Sequence, residues 1–384
     1  MIYLHPYDAL ILTLAVQGAQ WATALLLFFK FRRESRLPLP KQVPPATIVI
    51  PCKGVSPEFI DNVSSFLNQD YPAPLEVLFV VPSQTDPAAV ALEKLKATVL
   101  VSDRKPTTSS GKIADLLFAL DHLPEESEVI LFSDADVRVE PNWAHQLVGP
   151  LEDPRVGVAT SAMLYVPTNA RISNLVRSAW MMSGVMFSVF MDSVTGQSMA
   201  LRKKDIEGLG FREAWSTSLL EDLATGRTAR ARGKRISFVS HAMPVSYEDT
   251  PLSEVAEVFT RWMRCIRFDD WRMWFMALPL VSGKTLIALG TLMRIKTWDE
   301  AAFFWILEGG FFAMIAWVYS YYLPNRFKPL PALRRPYPIW VALASPLVLA
   351  LQGWNLTAAA FSSEVRWGGR RYRCLAPGKI QIID

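Results

Sequence analysis

Hydrophobic and polar positions divide this chain into an apolar leader, a mixed middle and an apolar end. Residues 8–30 are apolar apart from Gln17, Gln20 and a few small polar residues. About 20 apolar residues suffice to cross a bilayer, so this stretch predicts a transmembrane helix. Lys30, Arg32 and Arg33 follow at once, while the residues before it carry no Lys or Arg. Basic residues favour the cytoplasmic side, which places the N-terminus outside and the next domain in the cytoplasm. A long apolar core with trailing basic residues argues against a cleaved signal peptide. A linker from Leu37 to Pro45 leads to recurring strand signals: Ala46–Ile50, Glu76–Val81, Thr98–Val101, Val129–Ser133 and Val156–Thr160. Helical material separates them, which predicts an α/β fold with a doubly wound, mostly parallel sheet.

Leu175–Val194 is again apolar and contains four methionines between Trp180 and Met191. A span here would put acidic residues at 134 and 222 on opposite sides of a membrane, so topology rejects one. A core helix and a lipid-contacting helix both remain open, and the pliable methionines favour a surface that admits an apolar ligand. After Asp270 come three segments long enough to span, Met273–Met293, Ala301–Leu323 and Ile339–Phe361. Pro279 and Lys284 interrupt the first, Pro346 and Gly353 the last. The loop Asn325–Arg335 and the tail Arg366–Arg373 are basic. Four simple spans would leave that tail outside, so two to three C-terminal membrane helices are expected. The division expected is 1–36 for an N-terminal membrane helix, 37–270 for the α/β domain, and 271–384 for a membrane region with a basic tail.

Composition sharpens this picture modestly. Hydrophobic residues make up 51% of the 384, and the net charge is only +4. Bulk charge gives no reason to expect nucleic acid; the basic residues cluster beside apolar segments, as at a membrane surface. Cys52, Cys265 and Cys374 are widely separated, with no zinc spacing and no disulfide framework, which suits a reducing compartment. The chain has neither G-x-G-x-x-G nor a Walker loop, which weakens dehydrogenase and P-loop readings.

Candidate chemistry centres on Ser133-Asp134-Ala135-Asp136. A buried strand ending there carries two carboxylates to the carboxyl edge of the sheet, where open α/β sheets bind ligands. Alternation along a strand points both to one side. Such a pair suits Mg2+ or Mn2+ shared with a diphosphate; an acidic strand end facing solvent is the plainer alternative. Glu221-Asp222 precedes a basic helical run and reads either as a helix cap or as a general base. Arg261 and Arg264 share a helix face and match diphosphate oxygens, although arginines snorkelling at a bilayer look the same. Ser109-Ser110-Gly111-Lys112 places a cation at a helix start.

Taken together, these motifs resemble the ceramide glucosyltransferase family and the related bacterial hopanoid-lipid glycosyltransferases, which share the GT-A fold. Lys53-Gly54-Val55, Asn62, Gln69-Asp70-Tyr71-Pro72 and Asp86-Pro87-Ala88 resemble the family's opening block. Lys112 falls at its lysine, Asp134 at its second aspartate, and Gly196-Gln197-Ser198 with Arg202-Lys203 at its acceptor-side loop. Glu221-Asp222 resembles its third motif, Arg261 and Arg264 its (Q/R)-x-x-R-W signature, and Arg366–Arg373 its basic ending. Three positions depart: Ser83 stands near the first aspartate with Asp86 three residues later, Cys265 replaces the signature tryptophan with Trp262 one turn back, and Asp115 replaces an asparagine.

The resemblance implies a membrane-bound inverting glycosyltransferase with its catalytic domain on the cytoplasmic side. A UDP-sugar, UDP-glucose foremost, would be the donor, and a lipid alcohol, ceramide foremost, the acceptor. Asp222 would be the base, and Asp134 and Asp136 the metal ligands. Lys53, Lys112, Arg261 and Arg264 would bind the donor, and Gly196, Gln197, Ser198, Glu221 and Trp262 would line the substrate site. A polysaccharide synthase needs more spans than this chain offers. A non-catalytic membrane scaffold predicts loss of the carboxylates, all of which are present.

Overall fold

A computed structural model describes residues 6–34, 36, 38–293, 298–322 and 336–383. The basic loop Asn325–Arg335 lies outside the described residues. The first helix is α1 (Pro6–Glu34). The α/β region then runs β1 (Ala46–Pro51), α2 (Phe59–Leu67), β2 (Leu75–Val81), α3 (Pro87–Lys94), β3 (Thr98–Val101), α4 (Gly111–Leu120), β4 (Val129–Phe132), α5 (Trp143–Val148) and β5 (Val156–Thr160). It continues through β6 (Leu164–Tyr165), α6 (Ile172–Phe190), β7 (Met199–Arg202), α7 (Lys203–Gly208), α8 (Phe211–Trp215), α9 (Glu221–Ala231), β8 (Arg235–Phe238), β9 (Val245–Ser246) and α10 (Leu252–Asp269). Three long helices follow: α11 (Trp271–Met293), α12 (Trp298–Tyr322) and α13 (Tyr337–Ala360). The chain closes with β10 (Glu364–Trp367), β11 (Arg370–Ala376) and β12 (Lys379–Ile382).

The central sheet has the order β3-β2-β1-β4-β7-β5-β8. Its pairings are parallel except those of β7, which runs antiparallel between β4 and β5. This is the mostly parallel GT-A-type sheet expected from the sequence. All five anticipated strands form, with boundaries within a residue. Strands β1 and β4 lack polar alternation because both faces are covered. Ile48, Ile50, Phe79 and Leu131 enter one apolar cluster, whereas Val49, Val80, Ile130 and Phe132 enter another on the opposite face. The strand order reverses direction about β1: β2 and β3 lie to one side, β4 to the other. A crevice therefore opens at the carboxyl ends of β1 and β4, where loops diverge above and below the sheet.

Helices α1, α11, α12 and α13 contain windows long and apolar enough to cross a membrane. Among the described residues there are thus four such helices, three of them C-terminal to the α/β region. Lys284 and Glu308 form a buried ion pair between α11 and α12, and Gln17 of α1 donates to Glu308 at 2.9 Å. A charged pair among apolar helices satisfies itself internally, since lipid offers no partner.

Of the two readings left open for α6, the structure favours the core helix over the surface that its methionines suggested. Trp180, Met181, Met182, Val185 and Met186 are all buried, and the exposed residues of α6 are Ile172 and Phe190 at its two ends. Trp180 stacks on Phe259 of α10 at 3.8 Å and donates its indole N–H to Asn355 of α13 at 3.1 Å. The helix is core, because α10, α12 and α13 cover the face that composition alone leaves looking lipid-facing. Asn355 also donates to Ala256 O and Thr260 Oγ1. One side chain of α13 thereby fixes both α6 and α10.

Candidate active site

Strand β4 ends at Phe132, so Asp134 and Asp136 belong to the loop and turn beyond it rather than to the strand. Strand alternation therefore does not set their direction, contrary to the sequence expectation. The loop is pinned instead: Ser133 Oγ donates to Gln197 O at 2.6 Å, joining the end of β4 to the segment before β7. Asn62 of α2 donates to Ala135 O at 3.3 Å from the other side.

Five residues singled out from sequence meet here in one bonded group. Ser110 caps α4 by accepting from Ile113 N, which sets Lys112 in the first turn. The Lys112 ammonium lies 2.6 Å from Asp134 Oδ1 and 2.6 Å from Glu221 Oε1. Burial pulls its pKa down, but the two carboxylates outweigh burial and hold it above the ordinary lysine value. Glu221 is 1% exposed and opens α9; its second carboxylate oxygen is buried without a hydrogen-bond partner. Asp222, beside it, accepts from Gly196 N at 2.9 Å and Leu223 N at 2.6 Å. A Cβ on Gly196 would stand 2.3 Å from Glu221 Oε1, so the position requires glycine.

Asp222 is raised to about 7, chiefly by desolvation and then by Glu221, against the lowering effect of Lys112 and the two amides. Asp136 is likewise raised to about 7 by desolvation among the cleft walls, with Asp134 and Glu248 adding like charge. Asp136 itself stands at the solvent-exposed rim of the crevice. No ion-pair partner of Asp136 occurs among the described residues. A carboxylate crowded by like charge and open to solvent is placed to receive a cation.

Other predicted residues are distributed around this group. Desolvation lowers the Arg261 pKa against the opposing influence of Cys265, Tyr165 and Asp136, so its guanidinium lies within electrostatic reach of the Asp136 carboxylate. Arg264 turns away and donates to Glu364 O at 3.1 Å, tying α10 to β10. Lys53, just beyond β1, donates to Gly368 O at 3.1 Å. Trp262 packs edge-on against Phe259, 5.4 Å between centroids, and so serves the core. Ser198 is a correction: it is fully buried, accepts from Trp143 Nε1 at 2.9 Å and donates to Ala242 O at 3.0 Å. Its hydroxyl is committed to the interior, and cannot face a substrate. Gln197 remains partly exposed.

Sequence reasoning gave Asp86 no structural role. Its Oδ1 caps α3 through Ala88 N and also accepts from Gly54 N at 2.8 Å, holding the loop after β1, where Gly54 adopts φ +69°. Asp115 is raised to about 6 by desolvation, opposed by Ser102 and Lys53. The contacts of the C-terminal strands with this region were also missed; two glycines at 368 and 369 were the visible signal of a turn. Pairing across 315 residues left no local trace.

The chain matches the model of glycosyl transferase family 21 over residues 10–380, and it belongs to that family. It is therefore a glycosyltransferase. A ceramide glucosyltransferase of Komagataella phaffii is 36% identical over 91 residues, which are 21% of this chain and 18% of that protein's length. Among solved structures, a mannosyltransferase from Pyrobaculum calidifontis in complex with GDP-mannose and Mn2+ shares 18% identity, covering 91% of this chain and 97% of that one, with a TM-score of 0.47. Glucosyl-3-phosphoglycerate synthase from Mycobacterium tuberculosis, in complex with Mn2+ and UDP-glucose, shares 12% identity, covering 62% and 81%, with a TM-score of 0.39.

Proposed function

We propose that this glycosyltransferase moves glucose from UDP-glucose to the hydroxyl of a lipid alcohol, ceramide in the first instance, with inversion at the anomeric carbon. The observation that carries the reading is the bonded group Asp134–Lys112–Glu221 beside Asp222 at the switch point of the sheet. Donor-side and acceptor-side chemistry meet there. Lys53, Lys112 and Arg261 gather positive charge around the crevice, which suits a diphosphate. Asp222 is fixed by two backbone amides, and its raised pKa gives it basicity near neutral pH. In its ionised form it takes the proton of the attacking hydroxyl.

The donor set at Asp134 and Asp136 fits a divalent cation of the Mg2+ or Mn2+ type. Among the described residues no three metal-ligating side chains converge. A hard cation held by one or two carboxylates and by substrate phosphate oxygens needs no such cage. When bound, the ion acts as a Lewis acid and template for the diphosphate. Lys112 then keeps Asp134 oriented, Glu221 keeps Lys112 in place, and Arg261 offsets charge on the departing nucleotide.

Four apolar helices and the membrane-type ion pair Lys284–Glu308 support a membrane-embedded enzyme that meets its acceptor at the bilayer surface. The trailing charge of α1, Arg32 and Arg33, supports a cytoplasmic catalytic domain. Purified protein given UDP-glucose, Mn2+ and ceramide in detergent should release UDP only when lipid is present, and EDTA should stop the release. Equal UDP release without lipid would contradict lipid as the acceptor.

A further inference from the structure

The basic ending of the chain has no part in the reading above, and the structure gives it one. Strands β10, β11 and β12 form a three-stranded antiparallel sheet. One end of that sheet is anchored. Thr217 Oγ1 donates to Gly378 O at 2.6 Å, and Gly378 N donates to Asp269 Oδ1 at 2.7 Å. Val365, Tyr372 and Cys374 are buried against Leu219, Leu223 and Cys265 of the α9–α10 region.

The other end is the turn from Trp367 to Arg370. Lys53, beyond β1, donates to its Gly368 O, and the Arg261 guanidinium of α10 lies 6.0 Å from the Trp367 ring centroid. Tyr372 meets the backbone of Gly111, next to Lys112. The turn thus spans from the β1 edge to α10, the two sides of the crevice holding Asp134 and Asp136.

Register decides which side chains look inward. Val365 pairs with Tyr372 and Trp367 with Arg370, so these four share a face, while Arg366 and Arg371 share the other. Val365 and Tyr372 are buried against the domain, so theirs is the inward face. Arg370 stands at its far end, exposed, with no ion-pair partner among the described residues. Between 364 and 383 the one acid is Glu364, which is taken by Arg373 at 2.8 Å. Gly368 and Gly369 have φ +59° and +81° and open space around them, so this backbone can approach a ligand closely.

We propose that the β10–β11 turn is a wall of the donor site: Arg370 binds the donor diphosphate, and Trp367 holds Arg261 toward it. This rests on the nucleotide-sugar reading above. The test uses full-length protein in detergent, with UDP, UMP and GDP, each with Mn2+, as probes. Arg370→Ala should weaken UDP binding about 10-fold, the effect of one charge-assisted hydrogen bond at a partly solvated site, and raise donor KM more than it lowers kcat. UMP should lose less, and Arg370→Lys should recover part of the affinity. Arg366→Ala, on the outward face, should bind UDP as wild type does. UDP with Mn2+ should slow amide hydrogen exchange across 367–371. Wild-type UDP affinity in Arg370→Ala, or equal losses for UDP and UMP, would overturn the proposal while leaving the donor reading intact. Failure of the wild-type protein to bind either UDP or GDP would overturn both.

Discussion

Replacing Gly196 with alanine tests the bonded group at its tightest point. The added methyl would lie 2.3 Å from Glu221 Oε1 and 3.1 Å from Lys112 Nζ. Carbon and oxygen normally approach to about 3.3 Å, so the carboxylate must retreat by about 1 Å. Glu221 is 1% exposed, so it cannot retreat into solvent, and Oε1 is the oxygen that holds Lys112. Overpacking of this kind costs about 1–3 kcal/mol. Full rupture of a buried ion pair costs about 3–5 kcal/mol, which sets the upper bound. Lys112 also orients Asp134, and Gly196 N orients Asp222, so one methyl disturbs both carboxylates. A displacement of about 1 Å costs roughly 10²-fold in rate. The assay pairs turnover with thermal unfolding on the same preparation. Gly208→Ala is the control, because nothing lies within 4 Å of its Cβ position. Wild-type turnover and stability in Gly196→Ala would refute the packing argument.

Asp222→Asn keeps the shape and removes the basicity, so turnover should fall about 10²–10⁴-fold with UDP affinity little changed. Because Asp222 is raised to about 7 and must be ionised to act, wild-type turnover should decline as pH falls through 7; a flat profile from pH 5 to 8 would count against this base. Asp136→Ala should abolish the response of turnover to added Mn2+, and persistence of that response would remove Asp136 from the ligand set. Trp180→Asp should destabilise the fold by about 3–5 kcal/mol, since the ring is 6% exposed and stacked on Phe259; wild-type unfolding with selective loss of lipid glycosylation would restore the lipid-facing reading of α6.

The sheet was legible because its signal is local: continuous apolar runs such as Ala46–Ile50 stand out between polar helices. Its antiparallel member β7 was not, since Met199–Arg202 is short and carries a charge. The carboxylates at 134, 136 and 222 could be read because strand ends and helix starts mark the edges of the sheet. Ser198 was misplaced because sequence does not distinguish a hydroxyl turned toward Trp143 from one turned toward a cleft. The methionine-rich α6 stayed undecided between core and lipid-facing for a related reason: hydropathy reports that a face is apolar, not what covers it. Arg264 and Lys53 bond to β10 and its following turn, roughly 100 and 315 residues away in the chain, and only the folded structure shows such pairings.

The central claim is that Asp222 and the Asp134–Lys112–Glu221 group transfer a sugar from a nucleotide to a lipid hydroxyl. Mass spectrometry of lipid products tests it most directly. Purified wild-type protein and Asp222→Asn are each given UDP-glucose, Mn2+ and ceramide in detergent. The account predicts a hexosylated lipid from the wild type, and at least a hundredfold less from Asp222→Asn at equal UDP binding, the lower end of a general base's effect of about 10²–10⁴-fold. Equal product from both proteins, or no glycosylated lipid from a wild type that binds UDP-glucose, would contradict it.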